Sequence, residues 1–436
     1  YDVAGCYSDD TEVLTRRGWL PHSEIEYTDE VACFDPETSS MQYHRPTRVI
    51  RKEHSGEMLN FKGYGYDLLV TPEHRMVVMP DWQEPNGRQK SSGIGRPVKF
   101  QKDKWSFCEA GDLPTSSFKI PLAAPLDGVE DLVSEDMARL AGWYVSEGSA
   151  VSSGVSICQA IGEKADQIES ILNALQMHYS FHDCKPGGNG GRLPIRVFYA
   201  GVIFNAAIVR WLRTEGGIGS ANKRIPPAVM CSGPSVKRAF LEAYLAGDGC
   251  EGRPGTFRAM TTSAGLRDDL QRLSLELGLS SSWHYRAPAS ERHSDAWQIN
   301  IGKGTRQTTA LRTGRNLTKE HYDGFVWCLT VPTGAYFVRR NGKAVVCGNS
   351  AHWRNKADNC IAVYRDPMEK IQDVEIHVQK VRKKIVGRVG MATLTPDEIR
   401  AELTDALDEW RRHDPRLGRA GCLPEHGDWI DFLLDE

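Results

Sequence analysis

The chain has 436 residues, a net charge of −3 and 40% hydrophobic residues, a length that predicts two or three domains and a balance that excludes a basic nucleic-acid coat or a disordered chain, local basic patches aside. No apolar run is long enough to span a bilayer, and the start "YDVAGCYSDD" does not read as a secretory leader. The 11 cysteines lie without C-x-x-C pairs, which argues against a zinc ribbon or a secreted disulfide framework and for a reducing, cytoplasmic setting. With Tyr rather than Met first, the expectation is a piece of a longer product.

From Cys6 to about Pro80 the pattern predicts an all-β region. "TEVLTRRGWLP", "EVACFDPETSSMQYHRP" and "EMLNFKGYGYDLLVTPEHRMVVM" alternate or run apolar between turn signals such as Asp35-Pro36 and Gly63. Residues 81–125 are polar and broken by Gly and Pro until the strand-like "FKIPLA". From about Val129 the period changes. "EDMARLAGWYVSEGSA", "KADQIESILNALQMHYS", "VKRAFLEAYLAGDG" and "LRDDLQRLSLELGL" predict amphipathic helices. Between them "GVSICQAI", "RVFYAGVIF", "TFRAMTT" and "AWQINI" predict strands. After Gly324 the strand pattern returns in "FVWCLTVPTGAYFVRRNGKAVVCGN", with Asn341-Gly342 as a hairpin turn. Beyond Ser350, "ADNCIAVYRD" and "VEIHVQKVRKKIVGRVG" predict strands, and "TPDEIRAELTDALDEW" a helix capped by Thr395, Pro396 and Glu398. An α/β block between two β segments predicts one domain interrupting another.

Three places carry reactive groups. A thiol at Cys6 can attack the carbonyl of Gly5 and turn the peptide into a thioester. Thr71 and His74, three apart, can hold and protonate a strained amide, although a lone T-x-x-H more often reads as a surface loop. In "VVCGNS", Val345 to Ser350, Asn349 precedes Ser350; an Asn side-chain nitrogen can attack its own main-chain carbonyl and cut the chain, where the plainer reading of this hexamer is a turn.

In this order the stretches resemble an intein, a self-splicing insert. "CYSDDTEVLTRRG" resembles the first intein motif, "DLLVTPEHRMVV" the second, and "GFVWCLTVPTGAYFVRRNGKAVVCGNS" the two C-terminal ones. The resemblance implies the all-β horseshoe shared with hedgehog autoprocessing domains. It also implies a route that needs no cofactor. Cys6 attacks Gly5, Ser350 takes the acyl group, Asn349 cyclises, and Gly5 is joined to Ser350. Two positions depart from the pattern: Gly348 stands where inteins usually have His, and Cys328 where Asp is common. A subclass uses the Cys328 position as acyl acceptor, but it lacks the first Cys and carries Trp where this chain has Met76. Cys6 is therefore expected as first nucleophile and Cys328 as an accessory to later steps; Cys328 and Cys347 read equally as packed core residues in adjacent strands.

Within the α/β block, "LAGWYVSEG" and "LEAYLAGDG" each end an apolar helix on an acid and a glycine. Gly142 with Ser146, and Ala243 with Gly247, put small residues four apart, so two helices can pack closely. Glu147 and Asp248 would then lie side by side, where paired carboxylates can bind a divalent metal and activate water against a phosphodiester. The pair resembles the LAGLIDADG homing endonucleases, which implies Mg2+ and a double-stranded DNA site in the uninterrupted host gene. "KRIPP" resembles an intervening motif of that family, making Lys223 a candidate catalytic cation or, equally, a solvated loop lysine. Arg196, Arg258 and Arg286 are candidate phosphate contacts or plain surface charges.

Joined, "YDVAG" and "SAHWRNKADNCIAVYRD" resemble a hexameric replicative helicase of the phage primase-helicase or mitochondrial Twinkle type. That implies single-stranded DNA and nucleotide as partners of the spliced host, with Lys380 and Arg382 reaching a neighbour's nucleotide. The phosphate-binding loop is absent from this stretch. The expected organisation is multi-domain: host fragment 1–5, splicing domain 6–125 and 311–349, α/β LAGLIDADG endonuclease domain 126–310, and α/β RecA-like helicase fragment 350–436. The expected function is splicing plus DNA cleavage. Alternatives are a DNA endonuclease on an inactive splicing scaffold and an inert insert in a helicase.

Overall fold

The computed structural model describes residues 5–81, 100–101, 103–185, 193–252, 255–288, 294–302, 307–349, 359–365, 374–381 and 390–394, the last three by backbone alone. It is a multi-domain mixed α/β chain with two compact units, Val3–Ser350 and a second formed by Tyr1–Asp2 with Ala351–Glu436. In the second unit the described strands Asn359–Arg365, Val374–Val381 and Gly390–Leu394 form an antiparallel three-stranded sheet. Ser350, Arg382 and the expected helix after Thr395 lie outside the described residues, as does the side chain of Lys380.

In the first unit the longest element is a two-stranded antiparallel ribbon. Arg48–Lys62 and Leu317–Thr330 pair from Leu317↔Phe61 to Thr330↔Arg48. The N-terminal part of each strand is exposed or half-buried, whereas Met58, Leu59 and Phe61 near the end of the first and Val326–Leu329 near the end of the second are apolar and buried. These two apolar stretches, at opposite ends of the ribbon, are where it joins a closed barrel, Trp327 beside Tyr7 and Leu59 beside Val70. Gly5 through Ser8 thereby runs into the protein interior, with Tyr7 paired to both Trp327 and Val70.

The hairpin Ala335–Arg340 and Lys343–Gly348 turns at Asn341 (φ 49°) and Gly342 (φ 76°). Two successive left-handed residues match the right-handed twist of paired strands, and Asn-Gly meets that demand with little strain. The hairpin lies in a ten-stranded sheet that runs from the first β segment into the α/β block, through the single bridge Ser282↔Lys343. Side chains reinforce this junction. Arg339, 1% exposed, forks onto Glu12 at 2.7 and 2.8 Å and reaches Asp268 at 2.5 Å and Gln271 at 3.1 Å. Glu276 accepts from Tyr43 at 2.6 Å, Lys237 at 2.5 Å and Arg272 at 2.8 Å, so its buried charge is compensated by two cations.

The α/β block repeats one pattern. Helix Glu135–Glu147 is capped by the Ser134 hydroxyl, which accepts from Met137 N–H at 3.2 Å, and runs into strand Gly148–Val151. Helix Pro234–Asp248 starts on proline and runs into Cys250–Glu251. The first half adds the sheet order Gly148–Val151, Gly154–Ala160, Ile195–Gly201, Ser180–Cys184; the second adds Thr256–Thr261, Ala296–Gly302 and Ser281–Arg286. Trp143, Tyr144, Phe240 and Tyr244 fill the core between the two helices and their sheets.

The expected strand "RVFYAGVIF" is corrected. It ends at Gly201, and Val202–Glu215 is a helix that leaves Ile203 and Phe204 exposed. The apolar run hid a boundary because β-branched and aromatic residues there face water rather than a sheet. Cys328 and Cys347 are not in adjacent strands either; they sit on strands of two different sheets.

Candidate functional site

One buried pocket gathers residues from both ends of the first unit. Cys6, Tyr7 and His74 are fully buried, Thr71 is 2% and Asn349 5% exposed. The turn Thr71–His74 closes with His74 N–H donating to the Thr71 carbonyl at 3.0 Å. Cys6 N–H donates to Thr71 Oγ1 at 3.0 Å, and Thr71 N–H donates back to the Cys6 carbonyl at 3.0 Å. The Thr71 side chain therefore grips the amide that joins Gly5 to Cys6. Gly5 itself packs on the His74 backbone so closely that a Cβ would overlap His74 Cα, which leaves glycine as the fitting residue.

His74 Nε2 lies 3.2 Å from Cys347 Sγ. Its Nδ1 makes no hydrogen bond to a described residue. Burial pushes the imidazole down to about 4, an effect that the nearby Gly5 peptide group partly offsets. The ring is thus neutral at pH 7 and able to accept or relay a proton beside the Gly5–Cys6 amide. Burial raises the Cys347 thiol to about 12, so it stays protonated.

Asn349 N–H donates to the Gly334 carbonyl at 2.9 Å, and its Nδ2 donates to the Val331 carbonyl at 3.2 Å. Its Oδ1 is buried without a partner among the described residues. Tyr7 Oη donates to the Gly348 carbonyl at 3.0 Å. Cys328 Sγ, fully buried, sits 3.5 Å from Tyr336 Oη, which accepts from Leu329 N–H at 3.1 Å. A side chain at position 348 would run into the Arg75 carbonyl. The sequence does not single out Tyr7 or Tyr336 as members of this site, and it leaves Cys347 open as a packed core residue. Tyr7 adjoins Cys6, but nothing local says that its phenol reaches a residue 341 positions away.

The second site lies in the α/β block. A Cβ at Gly142 would come 2.6 Å from the Phe240 carbonyl and 2.8 Å from Ala243 Cβ; one at Gly247 would overlap Ser146 Oγ and come 3.0 Å from Glu147 Cγ. The small residues thus let the two helices touch backbone to backbone, as their spacing requires. Glu147 and Asp248 end these helices on the wall of an open cavity of about 600 Å3, with Lys223 on the same wall. Glu147 is half-buried, accepts from Gln159 Nε2 at 3.4 Å, and is raised above the usual carboxylate range by burial. Asp248 is open to the cleft, yet the surrounding walls, and then the charge of Glu147, raise it to about 7. Lys223 is 5% exposed and donates to the Tyr144 carbonyl at 2.7 Å, with its ammonium 3.4 Å from the Tyr144 ring centre. Burial lowers it to about 8, against the pull of Asp248, so it is not a solvated loop lysine.

The donor set fits a divalent ion. The two carboxylates at adjoining helix ends repel each other, only partly offset by Lys223, and a divalent cation would relieve that repulsion. Among the described residues no group of three or more His, Cys, Asp or Glu side chains makes a metal cage, so water and a phosphate would complete the shell. Of the candidate phosphate contacts, Arg258 and Arg286 are exposed on strands of the second half. Arg196 is instead committed to Asp183 at 2.8 Å and Glu169 at 3.4 Å.

Residues 235–316 match the LAGLIDADG-like domain family. The chain is 25% identical over 359 residues to the ATP-dependent Clp protease proteolytic subunit of Chlamydomonas moewusii, covering 72% of this chain and 33% of that protein. It is 24% identical over 397 residues to the DNA-directed RNA polymerase subunit beta C-terminal section of Stigeoclonium helveticum, covering 79% and 36%. It is 26% identical over 325 residues to the ATP-dependent DNA helicase Hel308 of Thermococcus kodakarensis, covering 64% and 28%. The chain thus spans about a third of the length of these relatives. Among solved structures, an AceL NrdHF class 3 split intein is 12% identical, with 79% of this chain and 99% of that one covered and a TM-score of 0.27. The homing endonuclease I-DmoI bound to DNA and Ca is 14% identical, with 40% and 85% covered and a TM-score of 0.29.

Proposed function

We propose that residues 6–349 are a self-splicing insert that carries a metal-dependent, site-specific DNA endonuclease. The observation that carries the splicing half is the gathering of Cys6, Thr71, His74 and Asn349 in one buried cluster. Thr71 grips the Cys6 amide, His74 touches Cys347, and Tyr7 holds the carbonyl before Asn349. In this reading Cys6 attacks Gly5 with Thr71 and His74 in support, Ser350 accepts the acyl group, and Asn349 cyclises to release the insert. The comparisons support the same reading. Relatives named for a protease, an RNA polymerase and a helicase share with this chain a segment but no named activity, as a mobile insert in unrelated hosts would.

For the endonuclease, Glu147 and Asp248 would hold Mg2+, which when bound would supply charge stabilisation and an activated water at a phosphodiester. Lys223 lines the same cavity as a cation beside the developing charge, and Arg258 and Arg286 would contact the backbone of double-stranded DNA. The residues flanking the insert would be the interrupted host, of replicative-helicase type. That assignment rests on the resemblance of the joined flanks, with Lys380 and Arg382 in the nucleotide-contacting roles.

Incubation of the purified chain followed by intact-mass measurement tests the splicing half. Free insert together with ligated flanks is expected; an unchanged mass overturns it. A second reading, an endonuclease on an inactive scaffold, is favoured by Gly348, which removes the imidazole that usually assists cyclisation. Under that reading a plasmid bearing the uninterrupted host site is cut while the precursor mass stays constant.

A further inference from the structure

We infer that Tyr7 is a positioning residue that fixes the peptide unit ahead of Asn349 and so presents Asn349 for cyclisation. The inference rests on the splicing reading of this pocket.

The Gly348–Asn349 peptide unit is held at both of its polar groups. Its carbonyl accepts from Tyr7 Oη at 3.0 Å, and its N–H donates to the Gly334 carbonyl at 2.9 Å. Asn349 Nδ2 is held separately by the Val331 carbonyl at 3.2 Å. With the plane of the preceding peptide and the attacking nitrogen both anchored, the remaining freedom lies in the Asn349 carbonyl that must meet Nδ2. A glycine at 348 makes such anchoring necessary, because its backbone is otherwise the freest in the chain. No side chain at 348 can provide it, since the Arg75 carbonyl occupies that space.

Tyr7 is built for the task. Its ring is fully buried, 4.2 Å from the His74 ring centre, 5.3 Å from Trp327 and 5.8 Å from Tyr336. Its backbone directly follows Cys6 and pairs with Trp327 and Val70. One residue therefore spans from the first nucleophile to the last. Burial, then repulsion from the Cys347, Tyr336 and Cys328 groups, keeps the phenol protonated and donating at any working pH. Cys328 touches Tyr336, whose ring packs on Tyr7, so its accessory effect has a physical path to Gly348.

In the step served, Asn349 Nδ2 forms a bond to its own main-chain carbon while the bond from that carbon to Ser350 N breaks. The proton lost from Nδ2 ends on the freed Ser350 amine, so the atoms balance. Tyr7 takes no part in the proton transfer.

The test uses the full chain in two backgrounds. With Cys6→Ala, cleavage after Asn349 is followed by mass detection of the C-terminal succinimide. With Asn349→Ala, thioester formation is followed by thiol trapping at Gly5. Tyr7→Phe keeps the ring and removes the donor. It is expected to slow succinimide formation roughly 3- to 10-fold, the loss of one positioning hydrogen bond, and to change thioester formation less than about twofold. Equal slowing of both steps, or of neither, overturns the inference. In the Cys6→Ala, Asn349→Ala chain, a slowly exchanging Tyr7 hydroxyl proton near Gly348 is expected by NMR. A freely exchanging one overturns it without recourse to any Tyr7 variant. If the unsubstituted chain cleaves at neither junction, the splicing reading itself fails and the inference falls with it.

Discussion

His74 Nε2 and Cys347 Sγ meet at 3.2 Å although 273 positions separate them, both wholly buried. This contact brings the turn that grips the Cys6 amide against the strand that leads to Asn349. A substitution at Cys6 or at Asn349 therefore acts on one shared cluster of buried side chains.

Cys6→Ala is expected to abolish thiol-trappable cleavage at Gly5 while slow cleavage after Asn349 persists. Asn349→Ala is expected to stop ligation and leave precursor or branched ester. Intact-mass time courses read both. Normal ligated product from the Asn349 variant would remove the mechanism.

Restoring the common imidazole by Gly348→His is expected to slow cyclisation rather than speed it. A Cβ at 348 meets the Arg75 carbonyl, a backbone atom that cannot swing aside. Overpacking of this kind costs about 1–3 kcal/mol, seen as a lowered denaturation midpoint alongside the slower succinimide formation. Faster cyclisation in a variant of undiminished stability would contradict the geometry.

Glu147→Gln or Asp248→Asn is expected to remove metal-dependent DNA cleavage and leave splicing at its original rate, since both carboxylates line a cavity apart from the Cys6 pocket. Calorimetry adds a pH arm. Asp248 is raised to about 7, so proton competition weakens Mg2+ binding below that value. Affinity is expected to rise between pH 6 and pH 8 by up to about tenfold, less as water in the open cleft screens the carboxylate. In the absence of metal the sign reverses for folding: a carboxyl raised above its ordinary value loses its stabilising contribution as pH climbs towards 7.

His74 gives the opposite pH slope. Its folded value of about 4 lies below the ordinary 6.5, so its contribution to stability is complete above 6.5 and is lost as pH falls through about 4. The difference in unfolding free energy between the parent chain and His74→Gln is expected to shrink by about 3 kcal/mol or less over that window, as read by denaturant titrations at several pH values. A pH-independent difference would mean that the imidazole is not held neutral.

Glu276→Ala strips the shared partner from Lys237 and Arg272, both buried. Leaving two buried cations uncompensated is expected to cost about 3–5 kcal/mol. Because Tyr43 donates to the same carboxylate from the β segment, the loss is expected to appear in splicing as well as in DNA cleavage. A thermal melt with both activity assays reads it.

Local chemistry made much of this chain legible. The reactive order Cys6, Thr71 with His74, and Asn349 is a matter of functional groups along the chain. The acid-glycine helix ends at Glu147 and Asp248 follow from a 3.6-residue period, and the Asn341-Gly342 turn from two residues that tolerate positive φ. What the sequence could not decide is which distant groups share a pocket. The reach of Tyr7 to Gly348, the contact of His74 with Cys347, the exclusion of any side chain at 348 by Arg75, and the wiring of Arg339 and Glu276 between the β segments and the α/β block all depend on how separate strands pack. The boundary inside "RVFYAGVIF" escaped for a related reason. An apolar run has the same appearance whether it faces a core or water, and only the packed structure leaves Ile203 and Phe204 outside. Sequence determines which bonds a side chain can make; tertiary packing alone decides which partners stand close enough to make them.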